Sequence, residues 1–258
     1  MTYISKIWRF FATAFCFSVF GLSGLLMAIF WLPLYRLKHR DEQTRNRACR
    51  YAVHKSFKFF IWLMYWVGVV KVTTNNIEKL ANLKGKIVIA NHPSLVDVVV
   101  LISLIPDANC VVKESLWKNI FTKGVLINTG YLNNADPENL IEDCRNSLDQ
   151  GSNLIIFPEG TRTTPGKALS FQRGAANLAL RSKANFQRTL IKVSPPGLTK
   201  GWPWYRIPAR QIHLDLTVLE EFDVHPYLQH NISLSVRKLT RDLQEIFSDE
   251  LAHFDPKL

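Results

Sequence analysis

Residues 10–32 form an apolar run without a charged side chain, and no other feature limits the possible folds of the chain as strongly. The run is longer than the roughly 20 residues that a helix needs to cross the hydrocarbon core of a bilayer. Near its end lie Phe30, Trp31 and Tyr35, aromatic residues of the kind found at membrane interfaces. A cleaved signal peptide would have a shorter apolar region followed by small residues. We therefore predict a retained N-terminal membrane anchor.

Basic side chains dominate the stretch that follows the apolar run. They are Arg36, Lys38, Arg40, Arg45, Arg47 and Arg50, against which stand Asp41 and Glu42. The flank before the run offers only Lys6 and Arg9. The positive-inside rule therefore predicts a protein of the cytoplasmic (inner) membrane whose remaining chain faces the cytoplasm. The basic stretch is suited to bind anionic lipid headgroups, and a solvated charged helix face is the alternative.

Residues 57–70 are rich in aromatic side chains but too few to span a membrane comfortably. This composition suits a helix that lies in the membrane interface, and an ordinary core helix is the alternative. We accordingly divide the chain into residues 1–70, the anchor with its basic stretch and interfacial helix, and residues 71–258, a separate domain.

The remaining chain alternates between short strand-like and longer helix-like segments. The strand-like segments are 69–73, 86–90, 110–113, 126–132, 154–157, 190–193 and 211–219. The helix-like segments are 96–104, 116–123, 137–149, 171–182 and 232–251. This alternation predicts an α/β fold with a mostly parallel sheet flanked by helices.

A histidine and an aspartate follow one of the apolar strands. Residues 87–90 lead into Asn91-His92-Pro93-Ser94-Leu95-Val96-Asp97. Ligands of open α/β sheets bind outside the carboxyl ends of strands. With the helix starting near Pro93, Asp97 lies about one turn inside it, where it can orient one ring nitrogen of His92 and leave the other as a base. The alternative is a capping histidine beside an aspartate that interacts with the helix dipole.

A second apolar strand, residues 154–157, ends in another polar loop, Pro158-Glu159-Gly160-Thr161-Arg162-Thr163. Arginine recognises phosphate with two parallel hydrogen bonds, and glycine lets backbone amides approach an anion closely. In isolation such a sequence is usually only a turn.

Together the two loops resemble the glycerolipid acyltransferases, of which the 1-acylglycerol-3-phosphate acyltransferases are the type members. The similarity covers about residues 87–196 and is strongest at His92, Asp97 and the Phe157–Arg162 segment. It implies that His92 is the general base for an acceptor hydroxyl that attacks an acyl thioester, and that Asp97 orients His92. It also implies that Glu159, Gly160, Thr161 and Arg162 contribute to binding the acceptor phosphate. The donor would be acyl-CoA or acyl carrier protein, and no other cofactor is expected.

The chain departs from the family pattern between the two loops. The family usually has an arginine after a glycine and an aromatic residue, whereas the stretch from Gly130 to Asp136 has none. Lys192, in the strand before Pro195, is an additional candidate cation, and Arg173 is another. The expected acceptor is 1-acylglycerol-3-phosphate, a lysophospholipid. The alternatives are the same chemistry on another lipid, a thioesterase, and a non-catalytic lipid-binding protein.

The formal net charge of +11 indicates an anionic partner, either a membrane surface, an acidic substrate or nucleic acid. The sequence carries no nucleic-acid-binding signature, so membrane lipids are the expected partners and nucleic acid is not. The four cysteines are widely spaced and the histidines lack metal-motif spacing, so we predict neither a disulfide nor a metal site.

Overall fold

The computed structural model describes residues 3–135, 137–208, 210–229 and 231–253. Asp136, which closes the stretch without an arginine, lies outside the described residues. The helices are α1 (Tyr3–Leu26), α2 (Leu32–Lys38), α3 (Glu42–Trp66), α4 (Glu78–Ala81), α5 (Asp97–Leu104), α6 (Glu114–Trp117), α7 (Ile120–Thr129), α8 (Pro137–Asp149), α9 (Gly174–Ser182) and α10 (Ile232–His253). A π-helical segment, Met27–Trp31, joins α1 to α2, and a 3-10 turn, His225–Tyr227, precedes α10.

The strands form one seven-stranded sheet. They are β1 (Val70–Asn75), β2 (Ile87–Ala90), β3 (Ala108–Val112), β4 (Leu132–Asn133), β5 (Asn153–Ile156), β6 (Phe186–Ser194) and β7 (Ile212–Phe222), in the order β1-β7-β6-β2-β5-β3-β4. Only the β6–β7 pair is antiparallel in this sheet. This confirms the prediction of an α/β fold with a mostly parallel sheet.

Each face of the sheet is covered by its own layer of helices. Val88 of β2 belongs to the core shared with α1, α3, α5 and α7, whereas Ile87 and Ile89 belong to the core shared with α8, α9 and α10. Neighbouring strand residues point to opposite faces, and helices on both faces bury every residue of β2. The N-terminal helices and α10 therefore lie on opposite sides of the sheet.

One face of α1 packs against the rest of the protein. Ala12 and Cys16 belong to the main core, and Trp204 stacks on Phe10 with ring centroids 5.8 Å apart. Another face exposes large apolar side chains, among them Trp8 and Phe11. The continuous helix Ile4–Tyr35, 32 residues long, is apolar enough to cross a membrane by length and composition. This agrees with the predicted anchor, and the domain boundary after residue 70 stays a prediction.

The second half of the basic stretch and most of the aromatic stretch form a single helix, α3, and part of the sequence interpretation of them is wrong. Arg50 is buried, and its Nε donates to Asp107 Oδ1 at 2.7 Å. Arg47 donates to the other oxygen of the same carboxylate at 2.8 Å. These two arginines therefore bind a carboxylate of the protein rather than lipid headgroups. In the aromatic half of α3, Phe60 is buried whereas Trp62 is half exposed, so this segment has both a core face and an open face.

Several predicted element boundaries are wrong: helix 116–123 is two helices, helix 171–182 begins at Gly174, and strand 190–193 is longer. Two further differences lie close to the polar loops. Residues 126–129 belong to helix α7, and only Leu132–Asn133 form a strand. Gly130 ends α7 in the left-handed conformation at φ 66°, which glycine adopts without strain. Helix α5 begins at Asp97 rather than near Pro93, because the Asp97 carboxylate accepts a hydrogen bond from the backbone of Ser94 and closes a turn before the helix.

Candidate active site

The sheet brings the two polar loops together. Strands β2 and β5 are parallel neighbours with Ile87 opposite Leu154, so the loops that follow them emerge side by side. Asn91 extends the contact of β2 with β6, because its side chain donates to the carbonyl of Ile191 at 2.7 Å and accepts from its amide at 2.8 Å. Asn91, the residue before His92, is thereby fixed to the sheet.

His92 and Asp97 form the predicted pair. His92 Nδ1 lies 2.9 Å from Asp97 Oδ2, which also accepts from the amide of Ser94 at 2.7 Å. An ionised carboxylate only accepts hydrogen bonds, so this contact places the proton of neutral His92 on Nδ1 and leaves Nε2 as the base. The imidazole stacks on Phe157 with centroids 4.2 Å apart. Both the tautomer and the orientation of the ring are therefore set.

The Asp97 side chain is completely buried. Burial raises the pKa of its carboxyl, and the hydrogen bonds from His92 and Ser94 oppose that rise. A carboxylate in this position also lies in the first turn of α5, where the helix dipole favours negative charge.

Glu159 holds the backbone of His92. Its Oε1 accepts from the amide of His92 at 2.8 Å, and the amide of Thr163 donates to the carbonyl of His92, also at 2.8 Å. Burial, as the largest cause, and the nearby Asp97 raise the pKa of Glu159 from 4.5 to about 7, whereas the His92 amide and Lys200 lower it. Glu159 thus connects the two loops.

Arg162 connects three loops through one carbonyl group. Its Nη1 donates to the carbonyl of Leu198 at 3.1 Å, and the same oxygen accepts from the amide of Leu95 at 2.9 Å. Leu198 follows β6, Leu95 follows β2 and Arg162 follows β5. The guanidinium is therefore positioned by the backbone of the loop after β6.

A cleft of about 670 Å³ opens beside these loops. Its exposed part is polar and is lined by His92, Lys113, Asn134, Thr161 and Arg162. Its inner part is apolar and is lined by Val111, Leu140, Ile141, Cys144, Ile155 and Leu178. Burial raises the pKa of the Cys144 thiol to about 12, so this side chain behaves as a small apolar group. The cleft can therefore hold an anionic headgroup at its mouth and an apolar chain inside.

The structure separates the residues that the sequence grouped as binding residues. Gly160, Thr161 and Arg162 line the cleft, whereas Glu159 points away from it to the backbone of His92. Lys192 lies on β6, and neither it nor Arg173 belongs to the cleft lining. The binding roles assigned to these side chains stay predictions.

Lys113 is a cleft residue that the sequence reasoning did not single out. It directly follows β3, so it lies at the same edge of the sheet as His92 and Arg162. The available signal was its position as a cation at the carboxyl end of a strand. Asn134 reaches the cleft from the stretch without an arginine, and its Oδ1 accepts from the amide of Glu114 at 2.9 Å.

All four cysteines are free and buried. Within the part of the chain that the structure describes, no cluster of three or more histidine, cysteine or acidic side chains could hold a metal ion.

Comparisons with known proteins show what this chain is similar to. The family model described as Acyltransferase matches residues 70–194. The chain is similar to the 1-acyl-sn-glycerol-3-phosphate acyltransferase of Cocos nucifera, 36% identical over 128 residues that cover 47% of this chain and 41% of that protein. It is also similar to the enzyme of the same name from Helicobacter pylori, 33% identical over 129 residues that cover 46% of this chain and 54% of that protein. The matches thus span about half the length of these relatives.

The fold is shared with a solved structure, that of the 1-acyl-sn-glycerophosphate (LPA) acyltransferase PlsC from Thermotoga maritima. The TM-score is 0.66 over the full length of both chains, at 19% sequence identity. This likeness shows that the sheet and its helices have the same arrangement in both proteins.

Proposed function

We propose that the chain transfers a fatty acyl group from a thioester to the free hydroxyl of 1-acylglycerol-3-phosphate, and the match of residues 70–194 to the Acyltransferase family model supports this. The relatives from Cocos nucifera and Helicobacter pylori are named for this acceptor. The observation that carries the proposal is the 2.9 Å contact between His92 and Asp97 at the mouth of a cleft that also holds Arg162 and Lys113.

The proposed reaction uses His92 first as a base and then as an acid. Nε2 takes the proton of the acceptor hydroxyl as its oxygen attacks the thioester carbonyl. The C–S bond of the resulting tetrahedral intermediate breaks, and the leaving thiolate takes the proton back from Nε2. The products are phosphatidic acid and the free thiol of the donor. Asp97 stabilises the imidazolium that forms between the two proton transfers.

The two cations of the cleft suit the phosphate of the acceptor. Arg162 is half-buried and Lys113 exposed, and both line the cleft together with His92. A phosphate bound between them would bring the free glycerol hydroxyl towards Nε2, and such positioning is itself a large part of catalysis. The apolar inner part of the cleft suits a fatty chain.

Membrane binding belongs to the same proposal. Both substrates have long apolar chains, and exposed apolar side chains occupy α1 and the aromatic half of α3. Because one face of α1 packs on the domain, we infer that its other face holds the domain against the cytoplasmic surface of the membrane. The basic residues behind the apolar run support the cytoplasmic orientation.

A second candidate is the same reaction on a lipid with a different headgroup. Asn134 lines the cleft in the stretch where the family usually has an arginine. An amide can donate to a neutral headgroup as well as to a phosphate, so this difference is the specific reason to test other acceptors.

An acceptor panel tests the proposal. Purified protein in lipid–detergent micelles receives acyl-CoA together with lysophosphatidic acid, lysophosphatidylcholine, lysophosphatidylethanolamine, monoacylglycerol or no acceptor. We expect the highest kcat/KM with lysophosphatidic acid and little thiol release without an acceptor. Thiol release at the same rate in water alone would indicate a thioesterase, and equal rates with monoacylglycerol would remove the phosphate from the proposal.

A further inference from the structure

A second large concavity, here called the α10 groove, lies on the helical layer formed by α9 and α10. It has a volume of about 1100 Å³ and is bounded by α10, the end of β7, the 3-10 turn and residues 171–174. Phe171, Phe222 and Tyr227 line it, and Leu234 in the first turn of α10 is 63% exposed. These aromatic side chains form an apolar floor beside an exposed leucine.

Cations surround this apolar floor. They are Arg173, Arg237, Lys238 and Arg241. Two acids share the groove, but both are engaged: Asp223 contacts His225 Nδ1 at 2.6 Å, and Asp242 accepts from the hydroxyl of Tyr227 at 2.8 Å. Arg173 and Arg237, in contrast, form no ion pair with any residue that the structure describes. The groove thus presents net positive charge around an apolar centre.

The cations follow the length of a helix. Leu234 and Arg241 of α10 are seven residues apart, a separation of about 10 Å along a helix axis. The α10 cations of the groove, Arg237, Lys238 and Arg241, span about 6 Å of the helix axis, and Arg241 also pairs with Asp242 at 3.5 Å. Cations beside apolar side chains complement a partner surface that is acidic and amphipathic.

The groove adjoins the cleft through a single segment. In residues 171–174, Phe171 and Arg173 line the groove, whereas Gln172 and Gly174 line the cleft. The amide of Phe171 donates to Gln244 Oε1 of α10 at 2.9 Å, and the amide of Gln172 donates to the carbonyl of Pro158 at 2.7 Å. The end of the groove at Phe171 and Arg173 therefore adjoins the cleft that contains His92.

We propose that the α10 groove is the docking surface for a small acidic carrier protein that presents the acyl thioester to the cleft. This inference rests on the proposed acyl transfer and names the partner that delivers the donor. A membrane does not fit the surface, because the exposed apolar side chains of α1 and α3 lie on the opposite side of the sheet from α10. A flat bilayer in contact with those helices cannot also reach the groove.

Donor competition tests the proposal. The double variant Arg237→Glu/Lys238→Glu reverses two exposed charges of the groove, and Lys71→Glu/Lys84→Glu reverses two exposed charges elsewhere as the matched control. For the full chain, kcat/KM is measured with acyl carrier protein and with acyl-CoA as the donor. We expect a loss of about tenfold or more with the carrier protein in the groove variant alone, shrinking as salt is added. Activity with acyl-CoA should remain within about twofold in both variants.

Each alternative outcome contradicts the proposal. Equal losses with both donors would mean that the groove binds CoA itself or that the fold is disturbed, and an unchanged rate with the carrier protein would place docking elsewhere. If the wild-type protein used acyl-CoA but not acylated carrier protein, the proposal of a docking surface would be wrong and the proposed function would stand. Inactivity with both donors would overturn the proposed function.

Discussion

At the scale of single residues, His92 is fixed at both its ring and its backbone. Asp97 and Phe157 set the ring, while Glu159 and Thr163 bind the amide and the carbonyl of the same residue. Such double fixation pre-organises the base, so little reorganisation is needed when the acceptor hydroxyl binds. Through its bond to the His92 amide, Glu159 positions the base, and this role is distinct from any role in binding the acceptor.

Glu159 provides a prediction for the pH dependence of stability. Its pKa in the folded protein is about 7, above the 4.5 of an ordinary glutamate. Between these values the folded protein binds the proton more tightly than the unfolded chain, so the free energy of unfolding falls as the pH rises, by about 3 kcal/mol in all. Glu159→Gln keeps an oxygen acceptor for the His92 amide but does not titrate. We expect the Tm of the wild type to fall relative to this variant from about pH 5 to about pH 8.

Two substitutions of Glu159 distinguish the effect of its charge from the effect of its hydrogen bond to the His92 amide. Glu159→Gln should keep most of the turnover, whereas Glu159→Ala leaves the His92 amide without its acceptor and should lower kcat by about tenfold or more. Parallel Tm curves for wild type and Glu159→Gln across this pH range would show that Glu159 is ionised throughout and would refute the raised pKa.

Arg162 provides a prediction for acceptor binding. Because its guanidinium lines the cleft, Arg162→Ala should raise the KM for lysophosphatidic acid by about 10- to 100-fold, with a much smaller effect on the KM for the donor. Arg162→Lys keeps the charge but loses the two parallel hydrogen bonds that a guanidinium can donate. Its KM for lysophosphatidic acid should lie between those of the wild type and Arg162→Ala. Steady-state kinetics with each substrate varied separately measure this.

Lys84→Ala is the matched control for Arg162, because Lys84 is exposed and lies outside the cleft lining. We expect its acceptor KM to stay close to that of the wild type. An alternative role for Arg162 is purely structural, through its bond to the Leu198 carbonyl. In that case, Arg162→Ala would lower Tm and impair the use of both substrates equally.

At the scale of secondary-structure elements, Arg50 joins α3 to three other parts of the fold. It donates to Asp107 before β3, to the carbonyl of Thr129 at the end of α7, and to Ser152 before β5. Arg50→Ala removes these bonds, although the half-buried Asp107 carboxylate keeps Arg47, and should reduce the free energy of unfolding by about 1.5–3 kcal/mol. Arg47→Ala removes a 53% exposed partner of the same carboxylate and should cost less than about 1 kcal/mol.

Denaturant or thermal unfolding of the two arginine variants in the same detergent gives the comparison. Similar losses in both would show that the bonds of Arg50 to Thr129 and Ser152 contribute little. A larger loss for Arg47→Ala would contradict the assignment of Arg50 as the buried connection.

The order of helices and strands could largely be predicted from the sequence, because apolar runs of strand length alternate with helical patterns. Where the prediction failed, local and tertiary signals competed. Val125, Leu126 and Ile127 resemble a strand, yet Asn119 caps the helix at Phe121 and Gly130 ends it. The predicted strand 126–132 rested on its apolar residues, although these capping residues were the better guide.

The candidate site was only partly predictable for a related reason. His92, Asp97 and Arg162 stand in short motifs, and a motif reports residues that are close in sequence. The contacts of Glu159 with the His92 amide and of Arg162 with the Leu198 carbonyl depend on which strands are neighbours. Lys113 carries no motif and becomes recognisable only when β3 is placed beside β5.

At the scale of the whole molecule, the sheet separates a layer with exposed apolar helices from a layer with the α10 groove. We expect the full chain to stay with the membrane pellet in an alkaline carbonate wash, because α1 and α3 both expose large apolar side chains. Removal of residues 1–34 should weaken but not abolish this association, since the aromatic face of α3 remains. Release of the full chain into the supernatant would contradict the anchor.

The central claim for the molecule is that it makes phosphatidic acid with His92 as the base. Transfer of labelled acyl chains from acyl-CoA to lysophosphatidic acid, measured with purified wild type, His92→Ala and the exposed-histidine control His253→Ala, tests it most directly. We predict that His92→Ala lowers the rate by about 10²–10⁴-fold while folding and membrane binding are kept, and that the control matches the wild type. Near-normal formation of phosphatidic acid by His92→Ala, or none by the wild type, would contradict the account.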